Sequence, residues 1–163
     1  MMRQTRTIEP SSPSLQMEDV SVSFETTLLV KNSCLCLHVQ RAARALARRF
    51  DLALRPIGLT NNQFSLLMAL NRPKPPTMAP VSALLALDRT TLTAALKLLE
   101  RRGLVTVTPD PADRRSRLLA LTPAGRTVLA SAVPIWKSTH EALEASLPDG
   151  NAGRLRQDLA ALA

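Results

Sequence analysis

Apolar residues recur at steps of three and four along much of the chain, a spacing typical of amphipathic helices. The first such stretch covers residues 28–55, where an apolar stripe faces a stripe of arginines, and it ends before Pro56 and Gly58. The apolar stripe consists of Leu35, Val39, Ala42, Leu46 and Phe50. Residues 1–27 carry serine, proline and scattered charge without a period, which predicts a partly disordered tail.

Capping residues divide the next segment into short helices. Thr60 and Gln63 form a capping-box pattern ahead of a second helix, which runs to about Leu70. This helix is expected to bury Phe64, Leu67 and Met68. After a proline-containing loop, Pro80 suits the first turn of a third helix that ends near Leu87.

A fourth helix, a hairpin and a long fifth helix follow. Asp88 is a candidate N-cap and Gly103 a C-terminal stop for the fourth helix, whose inner face is Leu92, Leu96 and Leu99. Residues 104–108 are mostly β-branched and alternate between apolar and polar, which predicts a strand, and residues 117–121 predict a second strand. A turn is predicted at 109–113. Thr122 and Pro123 open a helix to about Ser146, with a kink or break expected at Pro134. A short final helix carries Leu155, Leu159 and Leu162.

This order predicts a mainly α fold with a small β-hairpin wing, a winged helix-turn-helix domain over residues 60–122. The outer face of the fourth helix has short side chains that allow close approach to base edges, and cations that suit phosphates. An ordinary solvated helix face is the alternative, although such faces usually carry more glutamate–lysine pairs. The predicted DNA-binding residues of this helix are Arg89, Thr90, Thr91, Thr93, Ala94, Lys97 and Arg101.

Charge supports a polyanionic partner. The 163-residue chain has a net charge of +8, and residues 1–27 contribute −2, so the remainder is strongly basic. Aromatic residues make up only 2% of the chain, which favours a helical core of leucine, alanine and valine. The sequence shows no apolar run long enough for a membrane span and no secretory signal, and it has only two cysteines, so a cytoplasmic location is expected.

Three stretches of the sequence together resemble the MarR family of transcriptional regulators. They are residues 98–105 (LLERRGLV), 110–115 (DPADRR) and 121–125 (LTPAG). The resemblance, which covers residues 32–147, implies a homodimer that binds a pseudo-palindromic double-stranded operator. It assigns residues 28–58 and 123–163 to dimerisation helices within one domain, 28–163. It also implies that Asp113 orients Arg115 into a minor groove, with Arg114 beside it.

The same resemblance implies a ligand-responsive repressor that senses a small molecule, often an aromatic acid. The candidate ligand residues are His38, Arg41, Phe64, Met68 and Trp136. Neither a cofactor nor a metal is predicted, although Cys34 and His38 have the spacing of two metal ligands on a helix.

Three further hypotheses for this chain are a redox switch, an enzyme and a protein–protein adaptor. Cys36 falls where the organic-hydroperoxide-sensing branch of the family keeps a reactive cysteine, so a redox switch through Cys36 and Cys34 is one alternative. This chain has no tyrosine to hold a thiolate, and Cys36 as a small apolar residue at the dimer interface is the competing interpretation. An enzyme is not expected, because the two histidines lack a recognisable nucleophile and acid partner. The outward threonines and the hairpin arginines argue against a protein–protein adaptor.

Overall fold

The computed structural model describes residues 21–148 and 150–162, which form seven α-helices, one 3₁₀ turn and a two-stranded antiparallel hairpin. The mainly helical fold with a hairpin wing is confirmed. The elements are α1 (Phe24–Ser33), α2 (Leu35–Leu54), the 3₁₀ turn (Arg55–Ile57), α3 (Asn61–Leu70), α4 (Met78–Leu85), α5 (Arg89–Arg101), β1 (Val105–Pro109), β2 (Arg117–Leu121), α6 (Pro123–Glu144) and α7 (Ala152–Ala160).

The expected first helix is interrupted. A single helix over residues 28–55 is wrong, because Cys34 adopts extended dihedral angles (φ −72°, ψ 105°) and separates α1 from α2. The Cys34 sulfur accepts the backbone N–H of Leu37 at 3.4 Å, so Cys34 serves as the N-cap of α2. Helix α1 begins at Phe24, inside the stretch predicted as tail, and residues 1–20 lie outside the described residues.

The described residues divide into two compact units, 21–40 and 41–162, and the hydrophobic core lies in the second. Leu92, Leu96 and Leu99 are at most 3% exposed, which confirms the predicted inner face of α5. On α3 the expectation for Met68 is wrong, since its side chain is 42% exposed while Leu66 is buried in its place. Helix α3 packs against α4, α6 and β2, and this combination of partners covers Leu66 instead.

The hairpin is hydrogen-bonded to the loop that precedes α4. Strand β1 pairs with β2 in the register Val105 with Leu121 through Pro109 with Arg117. The Leu119 amide donates to the carbonyl oxygen of Pro76 at 2.9 Å, which joins the hairpin to the loop before α4. The base of the wing is therefore fixed relative to the helices that precede it.

Helix α6 runs from Pro123 to Glu144 through Pro134, so the break considered for that position does not occur. Thr122 caps it by accepting the Gly125 amide at 2.9 Å, with Pro123 as its first residue. Across residues 21–148 and 150–162, we find no helix that combines the length and the apolar character needed to cross a bilayer.

Candidate nucleic-acid interface

Helix α5 is held at its start by Asp88. The two carboxylate oxygens accept the backbone N–H of Thr91 at 2.9 Å and its hydroxyl at 2.6 Å. These bonds, above all the one from the Thr91 hydroxyl, hold the pKa of Asp88 below its usual value of 3.8. Because its leucine face is buried in the core, the rotation of α5 about its own axis is fixed. This rotation determines which residues of α5 point outward.

The outward side of α5 forms a shallow concavity of about 370 Å³, lined by Arg89, Thr90, Thr93, Ala94 and Lys97. These are five of the seven residues predicted on this helix. The Thr93 hydroxyl donates to the carbonyl oxygen of Arg89 at 2.7 Å, which leaves its methyl group and its oxygen lone pairs for a partner. Thr91 differs, since its hydroxyl is engaged with Asp88 at the helix start.

The end of α5 is fastened to the start of α3. Arg101 is exposed on the last turn, as predicted, whereas the next arginine has a structural contact. Arg102 donates through Nη1 to the side-chain oxygen of Gln63 at 3.0 Å. That oxygen also accepts the Thr60 amide of the predicted capping box, so one acceptor joins two helices.

The tip of the wing is a turn built by two aspartates. Asp110 accepts the Ala112 amide at 2.9 Å, and Asp113 accepts the Arg115 amide at 3.0 Å. Asp113 therefore holds the backbone of Arg115, and among the described residues the Arg115 guanidinium forms no ion pair with it. Arg114 and Arg115 are both exposed at this tip.

Between the wing and the helices lies a cleft of about 370 Å³. Arg89 of α5 and Arg115 of the wing both line it, so the two predicted DNA-binding elements border one space. Arg117 lines it as well and is absent from the predicted site. The signal was available in the sequence, because Arg117 stands two residues before the buried Leu119 and shares its strand face.

The candidate ligand residues fall in several places. Phe64, which is buried, stacks on Trp136 with ring centroids 6.1 Å apart, and Trp136 stacks on His140 at 4.7 Å. Met68 lies exposed on α3 and Arg41 is exposed on α2. The His38 ring bonds through Nδ1 to the carbonyl oxygen of Cys34 at 2.9 Å. His140, which the sequence reasoning did not select for this group, extends the aromatic stack.

The two cysteines are free thiols with different surroundings. Cys34 is half-buried at the start of α2. Cys36 is exposed, and its sulfur accepts a hydrogen bond from the side-chain nitrogen Nε2 of Gln40 at 3.2 Å. Because α2 begins at Leu35, Cys36 stands in its first turn and not deep inside a longer helix. Across the described part of the chain, no cluster of three or more His, Cys, Asp or Glu side chains is arranged to hold a metal.

Comparison with known proteins identifies relatives of this arrangement. Residues 57–116 match the family model described as MarR family. The chain is 35% identical over 92 residues to the HTH-type transcriptional repressor NicR of Pseudomonas putida, a match that covers 56% of this chain and 58% of NicR. It is 31% identical over 101 residues to the organic hydroperoxide resistance transcriptional regulator of Bacillus subtilis, covering 62% of this chain and 69% of that protein.

Solved structures share most of the fold. The M. tuberculosis regulator MosR in complex with DNA superposes with a TM-score of 0.73 at 40% identity, over 79% of this chain and 92% of MosR. CouR from Rhodococcus jostii bound to p-coumaroyl-CoA gives 0.69 at 26% identity, over 80% of this chain and 92% of CouR. The fold, the matched segment and these identities agree, and the chain belongs to the MarR family.

Proposed function

We propose that this protein is a transcriptional regulator, without catalytic activity of its own, that binds double-stranded DNA sequence-specifically. The observation that carries the proposal is that Arg89, on the outward face of α5, and Arg115, at the tip of the wing, border one cleft. Helix α5 enters a major groove, where Thr90, Thr93 and Ala94 allow close approach to the bases. Arg115 enters the adjacent minor groove, whose negative potential attracts a guanidinium. The solved complex of MosR with DNA supports this assignment.

The binding unit in this proposal is a homodimer. Apolar side chains stay exposed on the terminal helices of the single chain, including Phe24 at 72%, Leu35 at 69% and Leu159 at 42%. Large exposed apolar surfaces usually mark association sites. A second copy would bury these helices, and the resulting two-fold axis would place two α5 helices on a pseudo-palindromic site.

The mode of regulation that we propose is repression relieved by an aromatic acid or a related small molecule. NicR is named as a repressor, and CouR is seen bound to p-coumaroyl-CoA. In this chain the stack of Phe64, Trp136 and His140 offers aromatic faces beside a titratable ring. His38, Arg41 and Met68 complete the candidate ligand group.

Selection from a random duplex pool, followed by titration of the selected operator, tests the DNA-binding proposal. With Lys97, Arg101 and Arg115 on phosphates or in a groove in both subunits, we expect the logarithm of affinity to fall with the logarithm of salt with a slope of about −5 or steeper. A scrambled duplex of the same composition is the control. Equal affinity for both duplexes, or no dependence on salt, would contradict sequence-specific binding.

A thiol switch at Cys36 is a second candidate function, favoured by one observation. The break at Cys34 places Cys36 in the first turn of α2 with its side chain exposed, where a dissolved peroxide can reach it. An organic hydroperoxide is the oxidant: the thiolate sulfur attacks an oxygen, the O–O bond breaks, and the alkoxide leaves and takes a proton. The sulfur becomes a sulfenic acid, and a thiol reductant reverses the change.

Hydroperoxide treatment of the DNA complex tests this candidate. If Cys36 is the sensor, low peroxide abolishes DNA binding, reductant restores it, and Cys36→Ser binds DNA under both conditions. Cys34→Ser is the matched control, because a serine keeps a capping atom at the helix start and leaves Cys36 intact. Peroxide without effect on the wild-type complex would refute the switch and leave the DNA-binding proposal standing.

A further inference from the structure

Strand β2 determines where Arg117 points. Leu119 and Leu121 are 0% and 8% exposed, and residues two apart lie on the same face of a strand. Arg117 therefore lies on the inner face of the hairpin, where that face leaves the core. Its partner in the register is Pro109, in the last pair before the tip. Arg117 is thus directed toward the α5 side of the wing.

Two spaces meet at Arg117 and Arg89. The wing cleft described above reaches Arg115, and a second groove of about 260 Å³ follows α5 to Lys97 and Glu100. Met78, Arg89 and Arg117 line both. Arg89, at the start of α5, and Arg117, on β2, therefore border the space that separates the helix proposed for the major groove from the wing tip proposed for the minor groove.

Within residues 21–148 and 150–162, neither arginine has a charge partner. Among the described residues, the guanidinium groups of Arg89 and Arg117 form no ion pair and no side-chain hydrogen bond. The acids that line these spaces are Asp113, whose carboxylate holds the Arg115 amide, and Glu100 in the groove. Two like charges beside one space repel, and an anion between them removes that cost.

We propose that Arg89 and Arg117 form an anion site for one DNA phosphate, the one on the strand that passes between the two grooves. Adjacent major and minor grooves are separated by a sugar-phosphate strand, so a surface between α5 and the wing tip faces phosphate and not base edges. Guanidinium groups match phosphate with two parallel hydrogen bonds. The inference rests on the proposed DNA-binding function and adds a residue that the motif does not include.

The test is a salt titration of Arg117→Gln on the selected operator and on the scrambled duplex. Removing one phosphate contact from each subunit reduces the slope of log affinity against log salt by about 2. Affinity falls by the same factor on both duplexes, because a phosphate contact carries no sequence information. Arg117→Lys retains most of the slope, since the charge remains, but binds less tightly because a lysine cannot form the bidentate pair. Lys137→Gln is the control: it removes the same charge from an exposed side chain on α6, and it leaves the salt slope unchanged.

Several outcomes would overturn the anion site. An unchanged salt slope in a folded Arg117→Gln protein would show that Arg117 does not contact a phosphate. A loss of affinity for the operator alone would show that Arg117 contacts a base. Calorimetric titration with inorganic phosphate at fixed ionic strength forms the second arm. Tight phosphate binding that Arg117→Gln abolishes, together with an unchanged DNA slope, would assign the site to a free anion. If the wild type binds no duplex even at low salt, the proposed function fails as a whole.

Discussion

Gly125 shows how tightly the chain is packed at the junction of the wing and α6. A Cβ atom at this position would lie 2.0 Å from the carbonyl oxygen of Leu104, a backbone atom that cannot rotate away. Thr122 binds the same segment, because its amide donates to that Leu104 oxygen at 3.1 Å and its hydroxyl donates to the Gly103 carbonyl at 2.7 Å. The segments RGL and LTPAG of the family motifs therefore contact each other directly.

We predict that Gly125→Ala lowers the free energy of unfolding by about 1–3 kcal/mol, the usual cost of overpacking. Denaturant unfolding followed by circular dichroism measures it. Gly153→Ala on α7 is the matched control, since its Cβ would meet only the Asn151 side chain, at 3.9 Å. The control is expected to be neutral or slightly stabilising. Equal stability of Gly125→Ala and wild type would mean that α6 shifts freely over Leu104.

The wing tip gives a second prediction at this scale. Arg115→Ala should weaken operator binding by about 1–3 kcal/mol without loss of stability, because the side chain is exposed. Asp113→Ala should cause a smaller loss, since it frees the Arg115 amide that the carboxylate now accepts at 3.0 Å. Fluorescence anisotropy with labelled operator measures both variants. Asp113→Asn keeps an acceptor oxygen and is the control; a loss as large as that of Asp113→Ala would show that the charge of Asp113 acts directly.

At the level of elements, the helices between Thr60 and Arg101 were predictable because their boundaries depend on neighbouring residues. Thr60 with Gln63, and Asp88 ahead of α5, each cap the helix that follows, as their side chains indicate. The interruption at Cys34 was missed because neither proline nor glycine marks it, although the apolar stripe begins only at Leu35, directly after the break. The exposure of Met68 was missed since burial on α3 depends on which distant elements pack against it.

The Asp88 cap predicts a pH-dependent start of α5. Hydrogen bonds from Thr91 lower the pKa of Asp88 in the folded protein relative to the unfolded chain. A carboxyl with a lowered folded pKa stabilises the fold above its unfolded value, near 3.8, and the contribution disappears as pH falls below that. We therefore expect Asp88→Asn to melt at a lower temperature than wild type at neutral pH.

The comparison over pH isolates this group. Thermal melts of both proteins from neutral pH to below 3.8 should show their difference shrinking as Asp88 protonates. Other carboxyl groups titrate in both proteins, so the difference between the two curves is the measurement. If the difference in melting temperature stays constant across this range, the capping contribution does not depend on the charge of Asp88.

For the molecule as a whole, the sequence located the candidate DNA-binding surface but not all of its members. The periodicity of α5 gave Arg89, Thr90, Thr93, Ala94 and Lys97, since a leucine face in the core sets the opposite face outward. Arg117 was missed although the alternation of β2 places it on the face of Leu119, because the space that it lines forms only where the hairpin lies beside α5. The Arg102–Gln63 bond was not predictable, since it joins residues 39 positions apart.

The exposed terminal helices predict assembly. We expect the wild-type protein to sediment at micromolar concentration with twice the mass of the chain. Leu159→Lys on α7, where the leucine is 42% exposed, should shift it toward the monomer, because a charge in an apolar interface is costly. Leu84→Lys makes the same change on α4 at a leucine that is 59% exposed, and should leave the dimer intact. A folded wild-type monomer at this concentration would contradict the proposed assembly.

The aromatic stack on α6 has a further consequence. The chain has one tryptophan and no tyrosine, so its indole fluorescence comes from a single ring, Trp136. That ring stacks on Phe64 of α3 and on His140 of its own helix. A movement of α6 relative to α3, or an aromatic compound placed against the stack, alters the surroundings of this one emitter. Trp136 is therefore an intrinsic fluorescent probe, and binding of the proposed effector can be tested by emission wavelength without any dye.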